Sequence, residues 1–201
     1  MDGTEVARIT DAPKALTAGM TKQRRLAKSL SRTQKGSHNR RDATAKLRRH
    51  HFHVANVRRH FLHQISNELV KTHDRLVLED LNVSGMLHNH RLAQAISDAG
   101  WTEFARNLGY KQAWRHGSVV LADRWYPSSK RCSQCGTIQG GLTLADRVFT
   151  CDCGHSADRD LNAAVNLAYW GQTHHSDSAS EPRNPKQRGR ATHARRRDGT
   201  D

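Results

Sequence analysis

The sequence has no apolar run approaching the ~20 residues that a membrane-spanning helix requires. It opens without a secretory signal. These two absences argue against a helical membrane protein and place the chain in the cytoplasm, where thiols stay reduced. Apolar residues are also scarce, at 35% with a mean hydropathy of −0.83, so any core is modest. Acidic residues are in short supply: 19 Asp and Glu stand against 33 Lys and Arg, for a formal charge of +14 and a pI near 10.4. That imbalance points to a polyanionic partner, most simply nucleic acid; neither a membrane nor a small-molecule substrate is expected as a partner. The length of 201 residues allows one domain plus a small module.

Cysteine is rare but concentrated. All four (Cys132, Cys135, Cys151 and Cys153) fall inside the stretch 128–166, SSKRCSQCGTIQGGLTLADRVFTCDCGHSADRDLNAAVN. Two cysteine pairs separated by a short hairpin-like segment fit a tetrahedral zinc site, each pair supplying two thiolates. Gly136 and Gly154 follow directly after the pairs, where a knuckle needs a residue tolerant of positive φ. Two disulfides are the alternative, and the absence of a secretory signal argues against them. Cys151-Asp152-Cys153 is one residue shorter than the usual knuckle and must turn more tightly.

At the start of the chain, Asp2-Gly3 is a turn dipeptide with no strand before it, and 4–9 reads as a short strand ended by Asp11-Ala12-Pro13. Residues 16–34 favour helix. Gly36-Ser37 interrupts, and Asn39 can cap a longer helix reaching about residue 73. On that helix Leu47, Val54, Val57, Phe61, Ile65 and Leu69 make a single apolar stripe, and the two helices are expected to pair as an antiparallel hairpin. From Lys22 to Arg59 there are thirteen Lys and Arg against one acid, Asp42. A solvated helix face would be served equally well by mixed charges, so this run is read as contacting phosphate, with Arg24, Arg25, Lys35, Arg40, Arg41, Arg48 and Arg49 as candidates. His50, His51, His53, His60 and His63 have no carboxylate partner at ligand spacing and are read as surface or nucleic-acid-facing residues.

Residues 74–81, DRLVLEDL, look like a buried strand with Glu79 at its carboxyl end, where open α/β sheets gather their chemistry. On the residues alone, Glu79 is equally a metal ligand or an exposed strand terminus. A turn at 82–85 and a two-part helical region over about 92–116 follow, then a second buried strand at 118–123. After the cysteines, 160–170 reads as a helix whose Ala163 and Ala164 allow close packing on a sheet and whose stop is Gly171. The segment beyond 172 is Ser-, Pro- and Arg-rich and is expected to be disordered.

The runs GSHNRR (36–41), LVLEDLNVSGM (76–86), YPSSKRCSQCG (126–136) and CGHSADRDLNAAVN (153–166) resemble the TnpB (OrfB) proteins of bacterial insertion sequences, over about residues 2–170. That family comprises transposon-associated, RNA-guided DNA endonucleases related to type V CRISPR effectors, with a RuvC-like domain of the RNase H fold. The resemblance implies that Glu79 is the second catalytic carboxylate and Asp160 the third, with Asp158 supporting, and that the four cysteines form the family's zinc ribbon. It implies DNA and guide RNA as partners, structural Zn²⁺, catalytic Mg²⁺ and a bacterial or archaeal cytoplasm. The implied fold is an incomplete RNase H-like α/β domain with an inserted helical hairpin and a zinc ribbon. Its parts are a residual strand at 1–15, the basic hairpin at 16–73, the nuclease core at 74–127, the ribbon at 128–157, a final helix at 158–171 and a tail at 172–201.

The resemblance also implies a departure. The family's first catalytic Asp lies on a first strand, in an Asp-x-Gly segment, and by this alignment the chain starts just after the second strand. The expectation is an amino-terminally truncated copy in which Asp2 is a turn residue. Such sites use two divalent ions about 4 Å apart, and Glu79 and Asp160 alone are too few to fix both. The alternative for this chain is a non-catalytic, zinc-ribbon nucleic-acid-binding remnant.

Overall fold

The computed structural model describes residues 12–143 and 145–174, together with Glu5, Arg8 and Ile9. The expected strand at 4–9 lies largely, and the expected disordered tail almost wholly, outside the described residues. In chain order the elements are helices α1 (Ala15–Ser31) and α2 (His38–Thr72), strand β1 (Arg75–Glu79), helices α3 (Val83–Met86), α4 (Ala93–Ala99) and α5 (Trp101–Trp114), strands β2 (Ser118–Ala122), β3 (Val148–Thr150) and β4 (Ser156–Asp158), and helix α6 (Arg159–Thr173). Strands β1 and β2 pair in parallel, with Glu79 opposite Ala122, and β3 and β4 pair antiparallel. The fold is thus mixed, with helices around two small sheets.

The hairpin forms as the pattern demands, with three corrections. Ser37, not Asn39, caps α2: its hydroxyl accepts the Arg40 amide at 3.2 Å. The buried seam of α2 runs through His50, Val54, Leu62, Ser66 and Val70, whereas Val57, Phe61, Ile65 and Leu69 are only half-buried beside it. The expected stripe catches only Val54 of this seam: Leu62 and Val70 lie one residue beyond its Phe61 and Leu69, and a histidine and a serine fill the other two positions. Ser66 satisfies its hydroxyl on the Leu62 carbonyl at 2.6 Å. His50 is not a surface residue, since its Nε2 lies 2.9 Å from the Gly19 carbonyl of α1. His63 turns toward α5, with its Nδ1 3.4 Å from the Tyr110 hydroxyl, and desolvation followed by the charge of Lys111 holds its pKa below the usual value.

Helix α1 has no buried residue and no side-chain cap of its own. Its cap comes from α4, where the nearly buried Asp98 carboxylate accepts the Leu16 amide at 2.7 Å, the Thr17 amide at 3.0 Å and the Thr17 hydroxyl at 2.9 Å. Two orphan donors and the positive end of the helix dipole thus meet one carboxylate. At the other end of α1, Arg40 donates to the Leu30 and Thr33 carbonyls at 3.4 and 3.2 Å. The two-part helical region breaks at Gly100, which sits at φ +65° between α4 and α5. Leu108 on α5 is fully buried, worth about 2–3 kcal/mol.

Helix α6 packs against the parallel sheet. A Cβ at Gly171 would overlap Val77 Cγ2 on β1, so Gly171 is a contact surface and not the helix stop, and α6 continues to Thr173. The expected packing through Ala163 and Ala164 is displaced: Ala163 is half-buried, Ala164 is exposed, and the buried positions are Asn162, Asn166 and Gly171. Among the described residues no helix is long and apolar enough to cross a membrane.

Candidate metal centre and nucleic-acid interface

Each cysteine pair sits in its own turn, rather than at the two ends of one hairpin. Arg131 bridges Ile138 around the first pair, and β3 and β4 flank the second. The Gly136 amide donates to the Cys132 carbonyl at 3.0 Å and the Gly154 amide to the Cys151 carbonyl at 2.9 Å, with φ of +78° and +89° at the two glycines. The shortened Cys151–Cys153 knuckle is closed by the Cys151 amide on the His155 carbonyl at 2.9 Å.

The four sulfurs lie within 4.8 Å of one another, with Cys132 to Cys153 at 3.7 Å and Cys135 to Cys151 at 3.5 Å. A tetrahedron built on metal–sulfur bonds of about 2.3 Å has edges of about 3.8 Å, so the cluster has the dimensions of a four-thiolate metal site. All four thiols are free of disulfide bonds. The Thr137 hydroxyl, and then its amide, hold Cys135 down to about 6. Cys153 is pushed up to about 12, against the favourable His155 amide, by sharing hydrogen bonds with Cys135 and Cys151. Four sulfurs this close cannot all carry charge without a cation among them.

Two asparagines that the sequence reading passed over join this cluster to α6. Asn162 Oδ1 accepts the Ser133 amide at 3.0 Å, and its Nδ2 donates to the Arg131 carbonyl at 2.7 Å. Asn166 Nδ2 donates to the Ser128 carbonyl at 2.8 Å and to the Arg131 carbonyl at 2.6 Å. Their four-residue spacing in NAAVN, one helical turn, was the available signal.

Glu79 ends β1, as expected of it, but the strand is half-buried at Leu76, Val77 and Leu78 rather than buried, and Glu79 is exposed. Its Oε1 accepts from the buried Ser128 hydroxyl at 2.5 Å, and the same Ser128 holds Asn166 through its carbonyl. Glu79 is therefore two hydrogen bonds away from α6, the helix that carries Asp160 in its first turn. The exposed Asp160 carboxylate has no hydrogen-bond or ion-pair partner among the described residues. Asp158 caps α6, accepting the Asp160 and Leu161 amides at 2.9 and 3.1 Å, and pairs with Arg8 at 2.9 Å. That guanidinium, then the amides, depress its pKa to about 2. Among the described residues the cysteines are the sole group of three or more His, Cys, Asp or Glu side chains whose ligand atoms lie close enough to share an ion, and neither Glu79 nor Asp160 belongs to such a group.

The basic run lies on the hairpin surface. Arg24, Arg25, Lys35, Arg41, Arg48 and Arg49 are exposed. Arg40 differs, since its half-buried guanidinium is engaged on the Leu30 carbonyl of α1 and the Thr33 carbonyl just after it. Arg40, Arg41 and Arg48 nonetheless line one open concavity of about 420 Å³ at the start of α2, with Ser37 and Thr44.

A parallel strand pair ending in a carboxylate, an adjoining four-cysteine cluster and a basic helical hairpin make a composite that matches known proteins in two consecutive pieces. Residues 2–90 match the family model described as a probable transposase, and residues 101–167 match a Cas12f1-like TNB domain. Across 150 residues the chain is 49% identical to a putative RNA-guided DNA endonuclease of Streptomyces pristinaespiralis, covering 73% of this chain and 37% of that protein. It is 39% identical over 176 residues to the putative RNA-guided DNA endonuclease Rv2885c of Mycobacterium tuberculosis, covering 84% and 38%. It is 37% identical over 163 residues to the putative RNA-guided DNA endonuclease InsQ of Escherichia coli, covering 73% and 40%. The chain belongs to the TnpB (OrfB) family of transposon-encoded proteins. It spans about two fifths of the length of the curated relatives it matches.

Proposed function

We propose that this chain is a fragment of an RNA-guided, metal-dependent DNA endonuclease linked to transposition, acting in the cytoplasm with a guide RNA and target DNA. Its fold is then part of a RuvC-like domain of the RNase H type, with the hairpin and ribbon inserted. Glu79 and Asp160 are two of its catalytic carboxylates and Zn²⁺ fills the four-cysteine cluster. The observation that carries the reading is the Glu79–Ser128–Asn166 chain of hydrogen bonds, which ties the strand-end carboxylate both to the ribbon and to the helix bearing Asp160.

In this reading each group has a definite task. Ser128 donates to one oxygen of Glu79 and fixes its rotamer, leaving the second oxygen, which has no partner among the described residues, to face a cation. Asp160 stands in the first turn of α6 with its side chain exposed. Mg²⁺, when bound, would activate water and stabilise the leaving oxygen of a phosphodiester. Two carboxylates are too few to hold a pair of ions, so at least one further carboxylate is expected from outside the described residues. The ribbon holds the 128–131 segment against α6 through Asn162 and Asn166 and so maintains the Glu79 rotamer. Arg24, Arg25, Lys35, Arg41, Arg48 and Arg49 contact phosphates, and Arg40 contributes from the edge of its concavity.

The test is cleavage of single-stranded and duplex DNA in Mg²⁺ or Mn²⁺. The 201-residue chain by itself is expected to leave both uncut. A longer family chain that includes an Asp-x-Gly strand and the guide-binding regions is expected to cut, and to lose cutting with Glu79→Gln or Asp160→Ala. Cutting by the long chain that survives both substitutions would remove these residues from the reaction. Cutting by the 201-residue chain that disappears with Asp160→Ala would show that no further carboxylate is needed.

A further inference from the structure

We infer that Trp125 is a stacking platform for an unpaired DNA base beside Glu79, an assignment that rests on the nucleic-acid reading above. Trp125 is 85% exposed, more than any other large apolar residue described. Leaving an indole in water forgoes a sizeable hydrophobic gain, so such a ring in an ordered turn asks for an occupant. The other tryptophans are accounted for. Trp114 meets Tyr110 edge-on at 4.8 Å, Trp170 stacks on His174 at 4.5 Å, and Trp101 is only 37% exposed at the rim of a pocket between α2 and α5. No aromatic ring among the described residues contacts Trp125.

Its position is fixed by the same groups that surround Glu79. Ala122, three residues before it, is the register partner of Glu79, and Ser128, three residues after it, donates to the Glu79 carboxylate. The turn between them is held at several points. The Asp123 carboxylate accepts the Trp125 amide at 2.8 Å, and the Asp123 carbonyl accepts the Tyr126 amide at 3.0 Å. Arg124 pairs with Asp80, the residue after Glu79, at 2.7 Å. Asp123 thus holds the turn through both its side chain and its carbonyl. A ring on a tethered turn loses little freedom on binding, which is what a preorganised contact requires.

The chemistry selects the ligand. An indole face stacks on any base, but only on one that is out of the duplex. Lys130, on the same segment, has no acidic partner among the described residues and is available to a phosphate. Stacking adds affinity without adding neutralised phosphates, so its loss lowers affinity and leaves the salt dependence alone.

The experiment uses the full chain with a mixed-sequence 12-nucleotide single strand and the blunt duplex of the same sequence, titrated by fluorescence anisotropy at several salt concentrations. Trp125→Ala is expected to weaken single-strand binding roughly 5- to 100-fold, with an unchanged salt slope and duplex affinity within about twofold. Trp125→Phe should recover most of the loss, and Trp114→Ala, the other highly exposed tryptophan, should change neither strand form. The assignment is overturned if Trp125→Ala binds the single strand as wild type does, or if it loses duplex affinity equally. It is also overturned if the loss is confined to an RNA strand of the same sequence, which would assign the ring to the guide. A wild-type chain that binds no oligonucleotide at all would instead bring down the nucleic-acid reading, a result separable from failure of Trp125 alone.

Discussion

The ribbon with α6 and the α1–α2 hairpin are held together by opposite means. The ribbon is short-range and polar: two asparagines, four thiols and a set of turn amides fix it, with Phe149 as its one fully buried large hydrophobic side chain among the described residues. The hairpin is long and periodic, yet α1 buries no residue and α2 buries five of 35. The ends of α1 are fastened by charged side chains from other helices, Asp98 of α4 at one end and Arg40 of α2 at the other. One module is built to hold a carboxylate in place and the other to hold out positive charge. They should therefore fail under different insults.

The largest separation is expected on metal removal. Binding of a structural Zn²⁺ to a thiolate site is worth on the order of 10–16 kcal/mol at neutral pH, and that cluster has little apolar core behind it. Chelation, or Cys132→Ser, should unfold residues 128–157 while leaving the helicity of α1 and α2 nearly unchanged, as read by amide resonances and far-UV circular dichroism. Metal analysis should find one ion per folded chain, held by Cys132, Cys135, Cys151 and Cys153. A folded ribbon with well under one equivalent would break the comparison.

The two modules were also legible in the sequence to different degrees. The cysteine spacing and the glycines after each pair foretold the thiol cluster, because metal ligation needs particular residue types at particular separations. Glu79 at the end of β1 was legible from three apolar residues in a row. The hairpin and its antiparallel pairing were legible as periodicity, but of the buried seam only Val54 was, since Leu62 and Val70 sit one residue beyond the apolar stripe and His50 and Ser66 are counted as polar although each finds a carbonyl. Caps supplied across space, such as Asp98 on α1, leave no local signal. Gly171 reads as a helix stop from sequence, and only the proximity of Val77 shows it to be a contact.

Next in size is the electrostatic role of the hairpin. Arg41→Glu, Arg48→Glu and Arg49→Glu together, with Arg40 kept because it caps α1, should weaken DNA binding and reduce the slope of log affinity against log salt by about two to three. The fold should be unaffected, since all three side chains are exposed. Binding that is salt-insensitive, or unchanged in the triple variant, would make the hairpin a structural strut.

A smaller effect is expected where α6 meets the sheet. In Gly171→Val the new side chain would collide with Val77 Cγ2, costing roughly 1–3 kcal/mol in urea unfolding. Reducing the partner in Gly171→Ala/Val77→Ala should recover part of the loss, whereas equal losses in the single and double variants would show that the contact is not the cause.

The smallest effect concerns the seam between α2 and α5. Lys111 is 7% exposed, and its ammonium donates to the Ser66 hydroxyl at 2.6 Å and the His63 carbonyl at 2.9 Å, with no acid among its partners. Burial pushes its pKa below 10.5. A lysine whose folded pKa is depressed disfavours the fold while it is protonated, and the fold regains that stability as pH climbs from the folded value to 10.5. Replacing it with Met removes the buried charge and orphans no donor, because Ser66 still donates to the Leu62 and His63 carbonyls. Lys111→Met is therefore expected to leave the thermal midpoint at pH 7 unchanged or to raise it by up to about 5 °C. The advantage over wild type should shrink as pH approaches 10.5, where both chains carry a neutral side chain at this position. A variant that is less stable by the same amount at pH 7 and pH 10.5 would show that the ammonium holds α5 on α2 through its hydrogen bonds. The polar means of assembly found in the ribbon would then extend to the seam between the hairpin and α5.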